Sequence, residues 1–297
     1  MQEDLHRFLP WYNGFNISEV DVSPQAEQVD PAKSGKERSF LWKGFSFFTF
    51  KQMKDNFSKQ AGLYAKYRPG YPPELFAFIL QQAKEKNQAW DCATGNGQTA
   101  KELANYFKRV DATDISQQQL DQAIPATNIF YSRQPAEATN FADNSFDLVT
   151  VSQALHWFEF DKFYKEVNRV TRQGGWIAAW MYGLLRISPA IDRLIDHHHF
   201  ITLENFWDTE RKYVDDLYTT IPFPFEEINC PPFSIGYEWT LRELEGYLAT
   251  WSALQKFITA NTYDPVKELI KEIAPYWTSE HMKISFPLYL RMGKIVS

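Results

Sequence analysis

The stretch Ala89-Trp90-Asp91-Cys92-Ala93-Thr94-Gly95-Asn96-Gly97-Gln98 decides how this chain folds. Its first five residues form a short apolar run interrupted by one acid, the pattern of a buried strand. Thr94 to Gly97 then form a tight turn, and Gln98 to Phe107 carry Ala100, Leu103, Ala104 and Phe107 at helical spacing. A strand that runs through glycines directly into a helix lets a ligand approach the backbone closely while the helix amino end faces it. Taken alone, the same turn could be purely structural.

The surrounding sequence repeats this unit. Upstream, Pro73 opens a helix with Leu75, Phe76, Phe78, Ile79 and Leu80 on one face, ended by the polar run Gln81 to Gln88. Downstream, strands are predicted over Arg109–Asp114, Ile129–Ser132, Phe146–Val151 and Trp176–Trp180. Helices are predicted over Gln117–Ala123 and Phe160–Val170, and a turn at Gly174-Gly175. Alternation of this kind means an α/β protein with a parallel sheet and helices on both faces. After Tyr182 the pattern breaks into a mostly helical insertion, Pro189 to Leu217. A strand-like stretch from Phe225 to Trp239, helices near Leu241–Ile258 and Pro265–Ile273, and a last strand His281–Arg291 follow. Residues 1–53 show no clear period and are read as an N-terminal extension, poorly ordered or loosely packed, upstream of an initiator at Met53. The core is read as 54–182, the insertion as 183–224 over the substrate site, and 225–297 as completing the sheet.

Composition narrows the function. The net charge is -6, with 31 Lys+Arg against 37 Asp+Glu and no long basic run, which argues against nucleic acid as the main partner. The two cysteines, Cys92 and Cys230, stand apart without a CxxC or a histidine at ligand spacing, so both are read as free thiols in a reducing, cytoplasmic compartment. No apolar run approaches the roughly 20 residues of a membrane span. An aromatic content of 16% suggests aromatic-walled cavities as well as packing.

Asp114 ends the second strand, where a carboxylate can take both hydroxyls of a ribose. It can equally cap a helix beginning at Ser116. Nicotinamide enzymes share this geometry, but the turn here is not GxGxxG and no Tyr-x-x-x-Lys pair follows the fourth strand. After the fourth strand, Ser152-Gln153-Ala154-Leu155-His156-Trp157 sets an imidazole and an indole at the sheet edge. They either meet a substrate, or cap the strand and pack beneath the insertion. His197-His198-His199 is read as a solvated helix face, since consecutive helical residues point about 100° apart and cannot converge on one metal. Arg186 and Arg193 could grip an anion or form surface ion pairs.

In order and spacing, Asp91-Cys92-Ala93-Thr94-Gly95-Asn96-Gly97-Gln98, Ala112-Thr113-Asp114-Ile115-Ser116, Ala136-Glu137-Ala138, Ser145-Phe146-Asp147-Leu148-Val149 and Asn168-Arg169-Val170 before Gly174-Gly175 resemble the class I S-adenosylmethionine-dependent methyltransferases with the type 11 domain. Phe57, Tyr64, Tyr67-Arg68-Pro69, Tyr71-Pro72 and Ala154-Leu155-His156-Trp157-Phe158 are similar to trans-aconitate methyltransferases and their relatives. The resemblance implies a Rossmann-like, mostly parallel seven-stranded sheet, S-adenosyl-L-methionine as cofactor, no metal, and a small-molecule acceptor methylated by a monomer or weak homodimer. It implies a cofactor site of Asp91, Ala93, Gly95, Gly97, Asp114, Ile115, Ala136, Glu137 and Gln153, closed by Tyr64 and Arg68 over the cofactor carboxylate, with His156 and Trp157 at the acceptor. Two departures stand out. Ala93 replaces the usual first glycine, and Pro135 replaces the acid before the adenine contact, leaving Glu137 or backbone carbonyls for the adenine amine. Glu137 could also be a solvated loop charge. A nicotinamide-dependent reductase and a catalytically silent binding protein of the same fold are the competing readings.

Overall fold

The computed structural model describes residues 69–296; Tyr64, Arg68 and the proposed extension 1–53 lie outside the described residues. Helix α1 (Pro73–Gln82) starts on a proline, which tolerates the first turn because its missing N–H has no intrahelical partner, and it buries Leu75, Phe76 and Ile79. Strands β1 (Gln88–Cys92), β2 (Arg109–Asp114), β3 (Ile129–Arg133), β4 (Phe146–Ser152) and β5 (Thr171–Tyr182) run parallel in the order β3-β2-β1-β4-β5. They are linked by α2 (Gln98–Leu103), α3 (Gln117–Leu120) and α4 (Phe160–Val170).

Both faces of the sheet are apolar because neighbouring residues of each strand point opposite ways. Ala89, Leu148 and Ala178 join the core on the α1 side. Trp90, Val149 and Ile177 join a second core against Phe163 and Val167 of α4. Two family motifs prove to be structural. Asp147, at the start of β4, accepts from the amides of Asn87 and Gln88 and pairs with Arg172, locking the amino ends of β1 and β4 together. Arg169 bonds Glu166, Asp143 and the Phe141 carbonyl.

The chain departs from the sequence reading in several places. Gly174-Gly175 is not a turn ahead of the fifth strand but a bulge inside it. Phe146 pairs with Thr171 and Leu148 with Trp176, and Gly174 takes φ +79°. Among the described residues the sheet has eight strands rather than seven. The long β8 (Met282–Lys294) runs antiparallel to β5. Its other edge is shared by two short strands, β6 (Glu226–Ile228) and β7 (Phe233–Trp239), which the sequence presents as one stretch. The predicted helix near Leu241–Ile258 is two, α7 (Leu241–Leu248) and α8 (Ser252–Asn261), followed by α9 (Pro265–Ile273) as expected.

The insertion contains α5 (Pro189–His197), a π-helical turn His198–Thr202 and α6 (Arg211–Asp215). His198 and His199 are buried, not solvated. The widened π turn carries them inward, where the ring of His198 meets Trp251 and that of His199 meets Trp207 and Trp251. Among the described residues, no helix is long and apolar enough to cross a membrane.

Candidate active site

At the carboxyl end of β1 every second residue is left-handed: Ala93, Gly95 and Gly97 take φ +53°, +58° and +85°. Ala93 occupies the first position despite its Cβ, at a strain of about 1–2 kcal/mol. The turn is pinned from below and from the side. The Thr94 amide donates to Thr113 O at 2.9 Å. Asp91, fully buried, accepts from the hydroxyls of Thr94 and Thr150, and its burial pushes the carboxyl pKa up to about 6. Asp114 accepts from Gly95 N at 2.9 Å and from Ser116 N at 2.8 Å, so one carboxylate ties the end of β2 to the glycine turn. The cap of α3 is Ser116, whose hydroxyl accepts from Gln119 N. Ala136 is buried just past β3, and Ile115, next to Asp114, gives its carbonyl to Arg133. Glu137 lies half-buried in the turn after β3, and its carboxylate accepts from Glu159 N at 3.0 Å, at the start of α4.

Past β4 the structure brings Gln153, His156 and Trp157 into one pocket. Its other walls are Tyr182, Gly183 and Leu184 from the end of β5, Trp207, Asp208, Arg211 and Val214 from the insertion, and Tyr247, Trp251 and Ser252 from the carboxyl-terminal helices. Gln153 also takes a left-handed φ of +57°, and its side-chain Nε2 is buried with no hydrogen-bond partner. Such an atom costs about 1–3 kcal/mol unless something accepts from it.

The His156 ring is buried, with Nδ1 2.8 Å from the hydroxyl of Tyr218. A phenol is the stronger donor and a neutral imidazole nitrogen the stronger acceptor of this pair, so Tyr218 gives its proton to Nδ1, which leaves the ring hydrogen on Nε2. Burial, reinforced by the nearby positive charge of Arg211, lowers the imidazole pKa from 6.5 to about 3. His156 is therefore neutral at physiological pH and too weak to serve as a base. A depressed pKa means that the neutral ring stabilises the fold above pH 6.5 and that this contribution is lost as pH falls toward 3. Imidazole resonances followed by NMR should show no His156 titration between pH 8 and pH 5; a midpoint near 6.5 would mean a solvated ring.

Arg211, Tyr218, Trp207 and Trp251 were not singled out in the sequence, because no local spacing marks them. Arg186 forms an exposed ion pair with Asp196 and Arg193 is exposed, whereas Arg211 lines the pocket. Among the described residues, no group of three or more His, Cys, Asp or Glu is placed to hold a metal ion.

Residues 90–179 match the family described as methyltransferase domain. A solved structure from Anaeromyxobacter dehalogenans, described as a type II methyltransferase, superposes with a TM-score of 0.73 at 35% identity, over 77% of this chain and 99% of that one. A Dictyostelium discoideum protein named as a methyltransferase is 34% identical over 250 residues, 81% of this chain and 95% of its own length. This chain belongs to the S-adenosylmethionine-dependent methyltransferases. A Saccharomyces cerevisiae relative, named as an S-adenosylmethionine-dependent methyltransferase, is 28% identical over 128 residues, 40% of this chain and 44% of its own.

The residues of this methyltransferase fit the cofactor its family uses. Among the described residues, a Cβ built on Gly95 would meet only Gln119 Oε1, at 3.9 Å. Asp114 stands beside the glycine turn at the end of β2, where a carboxylate can accept from ribose hydroxyls. The orphaned Gln153 Nε2 offers a donor between the turn and the pocket. Gly95→Ala should therefore cost the fold only about 1–2 kcal/mol of backbone strain. It should weaken S-adenosylmethionine at least tenfold in isothermal titration, and an unchanged affinity would remove this turn from the cofactor site.

Proposed function

We propose that this methyltransferase transfers the methyl group to a carboxylate oxygen of a small organic acid, giving a methyl ester. The observation that carries this reading is Arg211. It is a guanidinium on the wall of a pocket rich in aromatic side chains, where the one carboxylate, Asp208, is paired with Lys256, and its two terminal nitrogens have no acceptor among the described residues. A planar cation suits a carboxylate, to which it can donate two parallel hydrogen bonds.

The protonation states agree. A carboxylic acid, with an unperturbed pKa of roughly 4, is already ionised at neutral pH and needs no general base, whereas a hydroxyl or an ammonium would need one. His156 cannot be that base; its Nε2–H and the Gln153 amide are instead donors that can orient an anionic oxygen. Bound S-adenosylmethionine supplies a methyl group on a sulfonium that is already a good electrophile. The chain's own work is then to align the acceptor and keep water out, through Trp157 and the other aromatic walls.

In this reading Gly95, Gly97 and Ala93 face the methionine part and Asp114 the ribose. Ile115, Ala136 and Glu137 frame the adenine, Asp91 braces the turn, and Tyr64 with Arg68 close over the cofactor carboxylate. Residues 183–224 cover the acceptor. The acceptor belongs with trans-aconitate-like acids rather than nucleic acid. The same reading takes the protein as cytoplasmic and as a monomer or weak homodimer. The test is incubation with labelled S-adenosylmethionine and a panel of carboxylic acids, phenols and amines. Label released as methanol by mild alkali from acids alone supports ester formation; alkali-stable label on amines or phenols overturns it, and no transfer to any acceptor favours a silent protein.

A further inference from the structure

Arg211 is held by Asp215, which does not itself line the pocket, and by Trp207, which does. Its Nε donates to Asp215 Oδ1 at 3.0 Å, and its guanidinium carbon lies 4.7 Å from the centroid of the Trp207 ring. The same Asp215 oxygen lies 3.2 Å from Nε2 of His199. His199 is 1% exposed in the π-helical turn, with its ring centroid 4.6 Å from that of Trp207, and its carbonyl accepts from Trp207 Nε1 at 3.0 Å. One residue thus contacts both supports of Arg211, the carboxylate and the indole. Its Nδ1 is buried without a partner, a cost expected only where the ring's position is put to use.

Asp215 accepts from both neighbours. Although burial alone would raise its pKa, the His199 and Arg211 interactions bring it below the usual carboxylate range, so it stays ionised between them. His199 is itself lowered by burial and therefore neutral, which puts its single ring proton on Nε2, facing Asp215. An unsupported arginine is rich in rotamers, and tying its Nε while stacking its face removes much of that freedom before a ligand arrives. The edge left over is the pair of terminal nitrogens.

We propose that His199 is a positioning residue: through Asp215 and Trp207 it fixes the Arg211 guanidinium so that its terminal edge selects an anionic acceptor over a neutral one of the same shape. The inference rests on the anionic-acceptor reading above and assigns the residues that enforce it.

The probes are benzoate and its uncharged isostere benzamide, titrated calorimetrically into the protein saturated with S-adenosylhomocysteine. Wild type should bind benzoate the more tightly, and Arg211→Gln should abolish the preference. His199→Phe keeps a ring but lacks the donor. It should weaken benzoate roughly tenfold, the worth of one hydrogen bond of about 1.4 kcal/mol, and leave benzamide and S-adenosylhomocysteine unchanged. His199→Gln, whose amide can still donate to Asp215, should restore most of the loss. If His199→Phe does not fold, Asp215→Asn carries the same expectation.

Equal benzoate binding by wild type and the folded variants overturns the inference. So does a parallel loss of benzoate, benzamide and S-adenosylhomocysteine, which would mark a merely structural role. Wild type binding both probes alike, or neither, overturns it too. A preference that tracks His199 as expected while no acid is ever esterified would leave this assignment standing and remove the proposed reaction.

Discussion

Gly97→Ala should lower the urea midpoint sharply and leave little folded protein at physiological temperature. A Cβ at Gly97 would sit 2.1 Å from the hydroxyl oxygen of Tyr131 and 3.0 Å from its Cζ, at a φ of +85°. Tyr131 cannot swing aside freely, because it lies on β3 and its hydroxyl donates to Ile124 O at 2.8 Å. Left-handed strain of about 1–2 kcal/mol and overpacking of about 1–3 kcal/mol together consume a large part of a typical stability of roughly 5–15 kcal/mol. Removing the obstructing hydroxyl isolates the cause: Gly97→Ala with Tyr131→Phe should recover part of the midpoint. A single variant as stable as wild type would show that the β1 turn and β3 are not packed as described. The contrast with Gly95 is instructive, since alanine there should spare the fold and injure binding.

Asp114→Ala should reduce S-adenosylmethionine affinity about 100-fold, or roughly 2.7 kcal/mol. The carboxylate has two tasks in one place. Its bonds to Gly95 N and Ser116 N hold the glycine turn against the end of β2, and hydrogen bonds to a charged group are worth about 1.5–3 kcal/mol each. The same carboxylate is what the ribose hydroxyls would meet. Asp114→Asn keeps one acceptor oxygen and should fall between, in both affinity and thermal midpoint. Calorimetric titration with NADPH alongside should give no heat for any variant. Unchanged S-adenosylmethionine binding in Asp114→Ala would refute the ribose role, and NADPH binding would reopen the reductase reading.

Much of the nucleotide-binding half was legible in the sequence because its signals are local. Arg109–Asp114 and Phe160–Val170 there, and Pro265–Ile273 beyond it, form the expected elements at the expected limits, since alternation and helical periodicity declare themselves within about ten residues. The left-handed turn between β1 and α2 was legible for the same reason, as glycines relieve backbone clashes one residue at a time.

The acceptor side was not legible. Gln153, His156 and Trp157 were found because they follow a recognisable strand, but the chemistry of His156 was read incompletely. Its proton is placed by Tyr218, 62 residues away. Arg211 escaped notice because an arginine on a short helix looks the same whether it faces water or a pocket. The buried His198 and His199 were misread as a solvated face because a π turn rotates side chains away from the 3.6-residue period.

By itself, then, the sequence determined the α/β class, the glycine turn, the acid at the end of β2 and the family. All of these depend on the sterics and polarity of neighbouring residues. Only the tertiary structure decided that Asp114 braces the turn, that His156 is a neutral donor, and that Arg211, Asp215 and His199 act together. Hydrogen bonds, burial and the shift of a pKa depend on what the fold places within a few ångströms, and residues far apart in the chain carry no mark of that meeting.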